Sequence, residues 1–320
     1  MPDPGFAVAA ALPLDTITSR PYRDDADFRR IRQLCLDTYP ITAVGWNWEI
    51  RRWEGQRFYG ADPAPDPRWP GWIRLWESGE GRLVGVAHPE GRLGEGFLQL
   101  HPRFRHLEGE MVAWCEENLA IPDGGGRRLR IYVHDYDTPR RRLLRDRGFA
   151  ETGEWGVVRR LRLNGPPLPV PALAPGYTLR ETRPDPADDQ AVADILNAAF
   201  RRTIHTAAEF RGFASTAPSF RRDLDLAAEA PGGGFAAYVW VTWDPANRRG
   251  IFEPVCTHPG HRRRGLALAL MLEGLRRLGS LGAADAYVET CDGGPANALY
   301  DAVGFTEAYI GHYWERSWPA

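Results

Sequence analysis

The stretch from Val255 to Leu268, VCTHPGHRRRGLAL, decides how this chain is read. An apolar strand pattern ends at Thr257, a basic turn follows, and a helical pattern begins near Gly265. The start of a helix offers unpaired N–H groups and the positive end of the macrodipole. Such a start binds a diphosphate when the backbone can approach it closely. Gly265 and the small Ala267 keep bulk away from that approach, and Arg262, Arg263 and Arg264 add positive charge beside it. A basic helix start packed on a sheet without a ligand is the competing reading.

Working outward, the pattern predicts strands over Tyr177–Arg180, Asp223–Ala228, Phe235–Trp243, Gly250–Thr257, Ala286–Thr290 and Phe305–Trp314. Helices are expected over Pro186–Phe200, Gly265–Leu278 and Ala296–Val303, with a broken helical stretch between Arg201 and Phe220. Asp244-Pro245-Ala246-Asn247 reads as a hairpin turn. Three meandering strands followed by a strand–helix–strand unit imply an α/β chain with a mixed sheet and helices on both faces.

The first half repeats this plan. His101-Pro102 and His258-Pro259 lie 157 positions apart, and Gly148-Phe149 and Gly304-Phe305 lie 156 apart. Two landmarks at nearly one offset argue for a duplicated domain. Between the copies, LNGPPLPVPALAPG from Leu163 to Gly176 is too rich in proline for helix or interior strand and reads as a linker. Domains are therefore expected at 18–163 and 177–320, joined by 164–176.

Composition narrows the chemistry. The chain has 320 residues, enough for two cores, and a formal net charge of -2 that gives no reason to expect nucleic acid. All its basic residues are arginine, so no lysine is available for a Schiff base or for a G-x-x-x-x-G-K-[ST] phosphate loop. Cys35, Cys115, Cys256 and Cys291 have no metal or redox spacing. No metal, membrane or disulfide framework is expected, and a reducing cytoplasm fits. The opening Pro2–Leu14 is mildly apolar, without a basic leader, and too short to span a bilayer.

Arg262-Arg263-Arg264-Gly265-Leu266-Ala267 resembles the coenzyme-A-binding pattern Gln/Arg-x-x-Gly-x-Gly/Ala of the Gcn5-related N-acetyltransferase (GNAT) family. Asn297-Ala298-Leu299-Tyr300, followed by Gly304-Phe305, resembles the Asn-x-x-Tyr…Gly-Phe stretch of the same family. The likeness covers most of 177–315 and implies two tandem GNAT-like domains, each a mixed, mostly antiparallel sheet flanked by helices. It implies direct transfer of an acetyl group from acetyl-coenzyme A to an amine, with a small-molecule acceptor. Asn297 would touch the pantetheine arm, and Tyr300 would protonate the departing thiolate; they are three apart and share a helix face. Glu253 would take the proton of the amine. Pro254 predicts a splayed strand, the feature into which family members insert the acyl-pantetheine; Val255, Cys256 and Thr257 would line it, with a backbone N–H near Cys256 on the thioester carbonyl. Each of these residues also has a structural reading: a core tyrosine, a turn asparagine, a glutamate holding a basic neighbour. Covalent transfer through Cys256 or Cys291 is conceivable but lacks an adjacent histidine.

The first half departs from that pattern. Its counterpart stretch is Arg105-His106-Leu107-Glu108-Gly109-Glu110, which would turn carboxylates toward a diphosphate. Leu144 stands for Tyr300, Arg141 for Asn297 and Gly96 for Glu253, so 18–163 reads as a degenerate, non-catalytic copy. Trp46, Trp48, Trp53, Trp69, Trp72 and Trp76 are core or an acceptor wall. His205 and Glu209 meet an amine or lie on a solvated helix face. The competing function is a non-catalytic coenzyme-A-binding or scaffold protein that keeps the fold.

Overall fold

The computed structural model describes residues 16–59, 68–165, 168–291 and 294–319. The apolar opening at 2–14 lies outside them, as do 166 and 167 of the proline-rich stretch, whose described remainder forms no helix or strand.

The first half runs β1 (Ile17–Pro21), α1 (Asp25–Thr38), α2 (Ile50–Phe58), β2 (Arg74–Ser78), β3 (Leu83–His88), β4 (Glu95–Leu100), α3 (Glu108–Asn118), β5 (Ile121–Asp123), β6 (Gly126–His134), α4 (Thr138–Asp146) and β7 (Ala150–Arg162). The second runs β8 (Thr178–Glu181), α5 (Pro186–Phe200), α6 (Ala207–Thr216), β9 (Asp225–Glu229), β10 (Phe235–Asp244), β11 (Arg249–Thr257), α7 (Leu266–Ser280), β12 (Asp285–Cys291), α8 (Pro295–Val303) and β13 (Glu307–Trp318). Apart from the short β5, the order is the same. Side chains repeat it: Arg20 bridges Asp27 at 2.6 Å and Glu77 at 2.7 Å, and Arg180 bridges Asp188 at 2.6 Å and Glu229 at 2.5 Å. In both halves a strand-borne arginine thus ties the first strand to the first helix and to the neighbouring strand.

Local signals set the helix limits. Asp185 caps α5 by accepting from the Asp188 N–H at 2.9 Å, and Pro186 sits in the first turn, where its missing N–H costs nothing. Thr206 and Glu209 form a capping box at the start of α6. α7 turns Leu266, Leu270, Leu275 and Leu278 onto the sheet, where they join Val239, Val241, Phe252 and Val288 in one buried core.

The described strands form one sheet in the order β1-β2-β3-β4-β6-β13-β7-β12-β11-β10-β9-β8, with β5 beside β6. The last strand of each half is exchanged. β13 lies against β6, with Gly311 opposite His134, and β7 lies against β12, with Arg162 opposite Asp285. β7 and β13 pair antiparallel at the centre. The linear boundary at 164–176 is therefore crossed by backbone ladders in both directions. Arg159 on β7 reinforces the exchange by donating to the Asn297 carbonyl at 3.0 Å and to Asp301 at 2.6 Å on α8. The five tryptophans Trp46, Trp48, Trp53, Trp69 and Trp76 are all buried in the cores of the first half, and Trp72 packs against them.

Because each half completes the sheet of the other, differential scanning calorimetry is expected to show one cooperative transition for the whole chain. Two separate transitions would contradict the coupling read from the exchanged strands.

Candidate functional site

β11 and β12 run parallel and pair from Arg249↔Asp285 through Phe252↔Val288. The ladder stops there. Beyond Phe252, β11 continues beside β10, with Val255 opposite Val239, Cys256 opposite Tyr238 and Thr257 opposite Ala237, while its other edge has no strand partner among the described residues. Pro254 has no N–H to give to the ladder, and between Phe252 and Val255 two residues of β11, Glu253 and Pro254, stand against the single Trp240 of β10, a bulge in the same region. The expected splay is present at this point of the chain.

Below it, α7 begins at Gly265 with φ +71°, a left-handed conformation that an L side chain resists by roughly 1 kcal/mol. No side chain caps this helix start, and a Cβ on Gly265 would meet no atom within 4 Å. The first-turn N–H groups of Leu266, Ala267 and Leu268 have no hydrogen-bond partner among the described residues. The three arginines before them behave differently from one another. Arg262 donates to the Ala199 carbonyl at 3.2 Å, Arg264 lies 5.9 Å from the Tyr177 ring centroid, and Arg263 is exposed with φ +63°.

Glu253 stands at the splay and Tyr300 is buried beneath it. Tyr300 is 4% exposed and packs beside Phe305 in the core under α7 and α8. Burial first, and then the nearby Glu253, Cys291 and Cys256, push its hydroxyl above the ordinary tyrosine range, so it keeps its proton at neutral pH. Glu253 is exposed and makes no hydrogen bond or ion pair among the described residues, with Arg52 a nearby charge. Asn297, one turn before Tyr300, is half-buried; its backbone carbonyl is taken by Arg159, and its side-chain amide makes no hydrogen bond among the described residues. Cys256 is buried, and burial pushes its thiol up to about 12, which leaves it a poor nucleophile.

Residues that the sequence reading did not single out complete the site. Glu289 on β12 occupies the position after the last ladder pair, facing the same opening as Glu253. From the first half, Arg52 on α2 reaches across to Glu289 at 3.2 Å and grips Glu90 with two bonds, at 2.6 and 2.5 Å. Burial opposes charge on both glutamates. The bidentate grip of Arg52 outweighs it at Glu90, which lies below its usual range; the longer contact does not at Glu289, which lies above. No local motif marks these residues, because they meet only when the halves close on each other.

His205 and Glu209 are not a solvated face. Glu209 closes the capping box with Thr206, and His205 Nδ1 lies 3.4 Å from its carboxylate, beside the Tyr59 ring. The spacing Thr206-x-x-Glu209 was the signal for that arrangement.

The matching place in the first half is largely filled. Its ladder is shorter: β4 and β6 pair only at Glu95↔Arg130 and Gly96↔Ile131. Glu108, the first residue of α3, is 4% exposed and accepts from Arg140 at 2.9 Å. Asp137 accepts from the Trp46 indole at 2.8 Å and pairs with Arg105, and the Trp46 ring lies under both Arg105 and Arg140. Glu110 accepts from Trp76 at 2.7 Å. The carboxylates expected to repel a diphosphate are thus neutralised from within, and side chains take up much of the space, leaving a cavity of about 30 Å³ lined by Trp46, Phe97, Gln99, His134, Asp137 and Arg140. A Cβ on Gly96, the counterpart of Glu253, would lie 3.2 Å from Cys115 Sγ, and Leu144, the counterpart of Tyr300, is fully buried.

Residues 191–305 match the model of the acetyltransferase (GNAT) family. A mycothiol acetyltransferase from Frankia casuarinae is 30% identical over 262 residues, spanning 74% of this chain and 73% of that protein. This chain belongs to the GNAT acetyltransferase family. Its fold is shared with a GCN5-related N-acetyltransferase from Sphaerobacter thermophilus, at a TM-score of 0.64 and 21% identity over 96% of this chain and 97% of that one. A tandem GNAT protein from the clavulanic acid biosynthesis pathway also has a TM-score of 0.64, at 18% identity over 95% of this chain and all of that one. The family likeness makes this GNAT chain an acetyltransferase. Among its described residues, no helix is long and apolar enough to cross a membrane.

The plug in the first half yields a stability test. Arg140→Met would leave Glu108 and Asp137 buried with Arg105 alone, at an expected cost of about 3 kcal/mol. Adding Glu108→Gln should recover part of that loss. Urea unfolding of the single and double variants reads both; an additive double variant would show that the pair is not coupled.

Proposed function

We propose that this acetyltransferase moves the acetyl group of acetyl-coenzyme A directly to the primary amine of a small molecule, and that residues 177–320 do so while 18–163 form a degenerate partner. The single observation that carries the reading is the open start of α7 at Gly265 directly below the splay of β11 and β12. The free N–H groups there suit a diphosphate, and Arg262, Arg263 and Arg264 raise the local potential. From that anchor an acyl-pantetheine would run between the strands, beside Val255, Cys256 and Thr257, with the unpaired backbone edge available to its amides and Asn297 to its arm. The cofactor supplies an activated thioester carbonyl.

The residues of the chain then divide the proton work. The amine nitrogen attacks the carbonyl, the C–N bond forms and the C–S bond breaks. Glu253, unpaired and at the mouth, takes the proton of the amine. Tyr300, held protonated by burial, gives its own to the thiolate and recovers one from solvent. The buried, protonated Cys256 makes a covalent acetyl-cysteine the weaker route. Carboxylates crowd the acceptor side and favour an acceptor that arrives as a cation. The competing reading, a coenzyme-A-binding scaffold without turnover, differs in having no use for Glu253 and Tyr300.

The test is thiol release from acetyl-coenzyme A with a panel of amines, including the deacetylated form of mycothiol because of the named Frankia relative. Glu253→Gln and Tyr300→Phe should each lower kcat by about 10²-fold or more while calorimetric affinity for acetyl-coenzyme A stays near that of the wild type. Binding without release for every amine would favour the scaffold.

A further inference from the structure

Three arginines are buried among the described residues, and two of them are paired: Arg140 with Glu108 at 2.9 Å and Arg249 with Asp244 at 3.3 Å. Arg51, on α2 of the first half, is the third. It is 7% exposed, its Nε is enclosed without a partner, and its guanidinium makes no hydrogen bond or ion pair among the described residues. The carboxylates near it in sequence are committed elsewhere. Glu49 accepts from the backbone N–H groups of Arg51 and Arg52, and Glu54 takes Arg32 at 2.6 Å and the Ser219 hydroxyl.

What surrounds Arg51 instead is aromatic. Its guanidinium carbon lies 5.5 Å from the ring centroid of Tyr59, 5.1 Å from that of Phe213 on α6 and 4.6 Å from that of Trp240 on β10. Ring faces attract a cation, but they carry no net charge to balance it. A buried cation without a counter-charge is costly. Trp240 adds a second unmet donor, because its indole N–H is enclosed and has no partner. A water can accept these N–H bonds but cannot balance the charge. Two enclosed donors beside one unbalanced cation call for an anion.

The place adjoins the proposed reaction. Trp240 is the residue of β10 that stands against Glu253 and Pro254 in the bulge. It packs in one cluster with Cys256, whereas Val239, Val241 and Phe252 pack on the other face of the sheet with α7. Alternation from Phe252 therefore turns Glu253 to the Trp240 face. Arg51, Glu209, Glu253 and Cys256 are all close neighbours of the Tyr59 hydroxyl.

Resting on the acetyl-transfer reading above, we propose that Arg51 receives an anionic group of the acceptor, and that the acceptor is a small amine that also carries a carboxylate. A planar guanidinium with both terminal nitrogens unused can hold a carboxylate by two parallel bonds, and the Trp240 indole can give a third. Neighbouring strands lie about 5 Å apart, so a carboxylate at Arg51 leaves the amine of the same small molecule within reach of Glu253 across the bulge. The ammonium end of such a zwitterion meets Glu253 and Glu289, and its other end meets Arg51. Opposite charges at the two ends fix which way round the acceptor lies. The first half thus takes part in recognising the substrate, and no bond is made or broken at Arg51.

The experiment adds amino acids and their carboxamides to the amine panel and compares kcat/KM for each pair in the whole protein. Wild type should favour the acid over its amide by about 30-fold or more. Arg51→Gln should bring that ratio near one while the KM for acetyl-coenzyme A stays unchanged. Arg51→Lys keeps the charge without the fork and should retain part of the preference. A purely structural cation would instead lower both rates alike in Arg51→Gln and leave the ratio standing. That outcome overturns the proposal, as does equal use of acid and amide by the wild type, or a best acceptor without a carboxylate. If neither variant folds, the indole N–H resonance of Trp240 in the wild type decides: it should shift with the preferred acid and not with its amide, and indifference to both overturns the proposal. Wild type that releases no thiol with any amine brings down the proposed function itself, whereas turnover blind to the carboxylate brings down only the role of Arg51.

Discussion

The parting of β11 from β12 after Phe252↔Val288 is the constraint on which the rest of the molecule depends. Up to that pair the two strands satisfy each other's backbone groups; beyond it one edge of β11 is left unpaired. Unpaired backbone is costly when buried, so it persists only beside water or a ligand with polar groups of its own. The separation places Glu253 and Glu289 at an opening and leaves Tyr300 just beneath it. The uncapped start of α7 lies at the lower end of the same gap. One interruption of a ladder therefore sets the positions of every group in the site.

The first half shows what closes such a gap. Its ladder also stops early, after Gly96↔Ile131, but the space beyond is largely taken by Trp46, Arg105, Asp137, Arg140 and Glu108. A buried charge network is costly to desolvate and is held by mutual pairing and hydrogen bonds. Here the paired charges and the Trp46 ring fill the place that a diphosphate would take. Glutamate in place of the helix-start glycine and the internal ion-pair network are two sides of one change. The half is nonetheless indispensable to the sheet, since β7 lies between β12 and β13.

Much of the second half was legible from local pattern. The helix at Pro186–Phe200 has the same limits in the structure as in the sequence reading, because Asp185 and Pro186 mark its start. The strand–turn–helix at Val255–Leu268 was legible because glycine at a positive φ and an apolar helical face are both local properties. The tryptophan-rich stretch was readable only as apolar. Whether it faced a core or an acceptor depended on which strands lay beneath it. His205 and Glu209 were read as an amine contact or a solvated face because they were paired with each other four apart, and the Thr206-x-x-Glu209 spacing that marks the helix start was passed over.

By itself, then, the sequence determined the elements, their order, the repeat, and the glycine and carboxylate substitutions that separate an open helix start from a filled one. These follow from backbone propensity, periodicity and the chemistry of single residues. Only the tertiary structure decided that the final strands change places and that Arg52 reaches Glu289 of the other half. The physical reason is that a strand's hydrogen-bonding edges accept any partner of the right length and direction. Which partner is chosen depends on residues more than a hundred positions away, and no local signal records that choice.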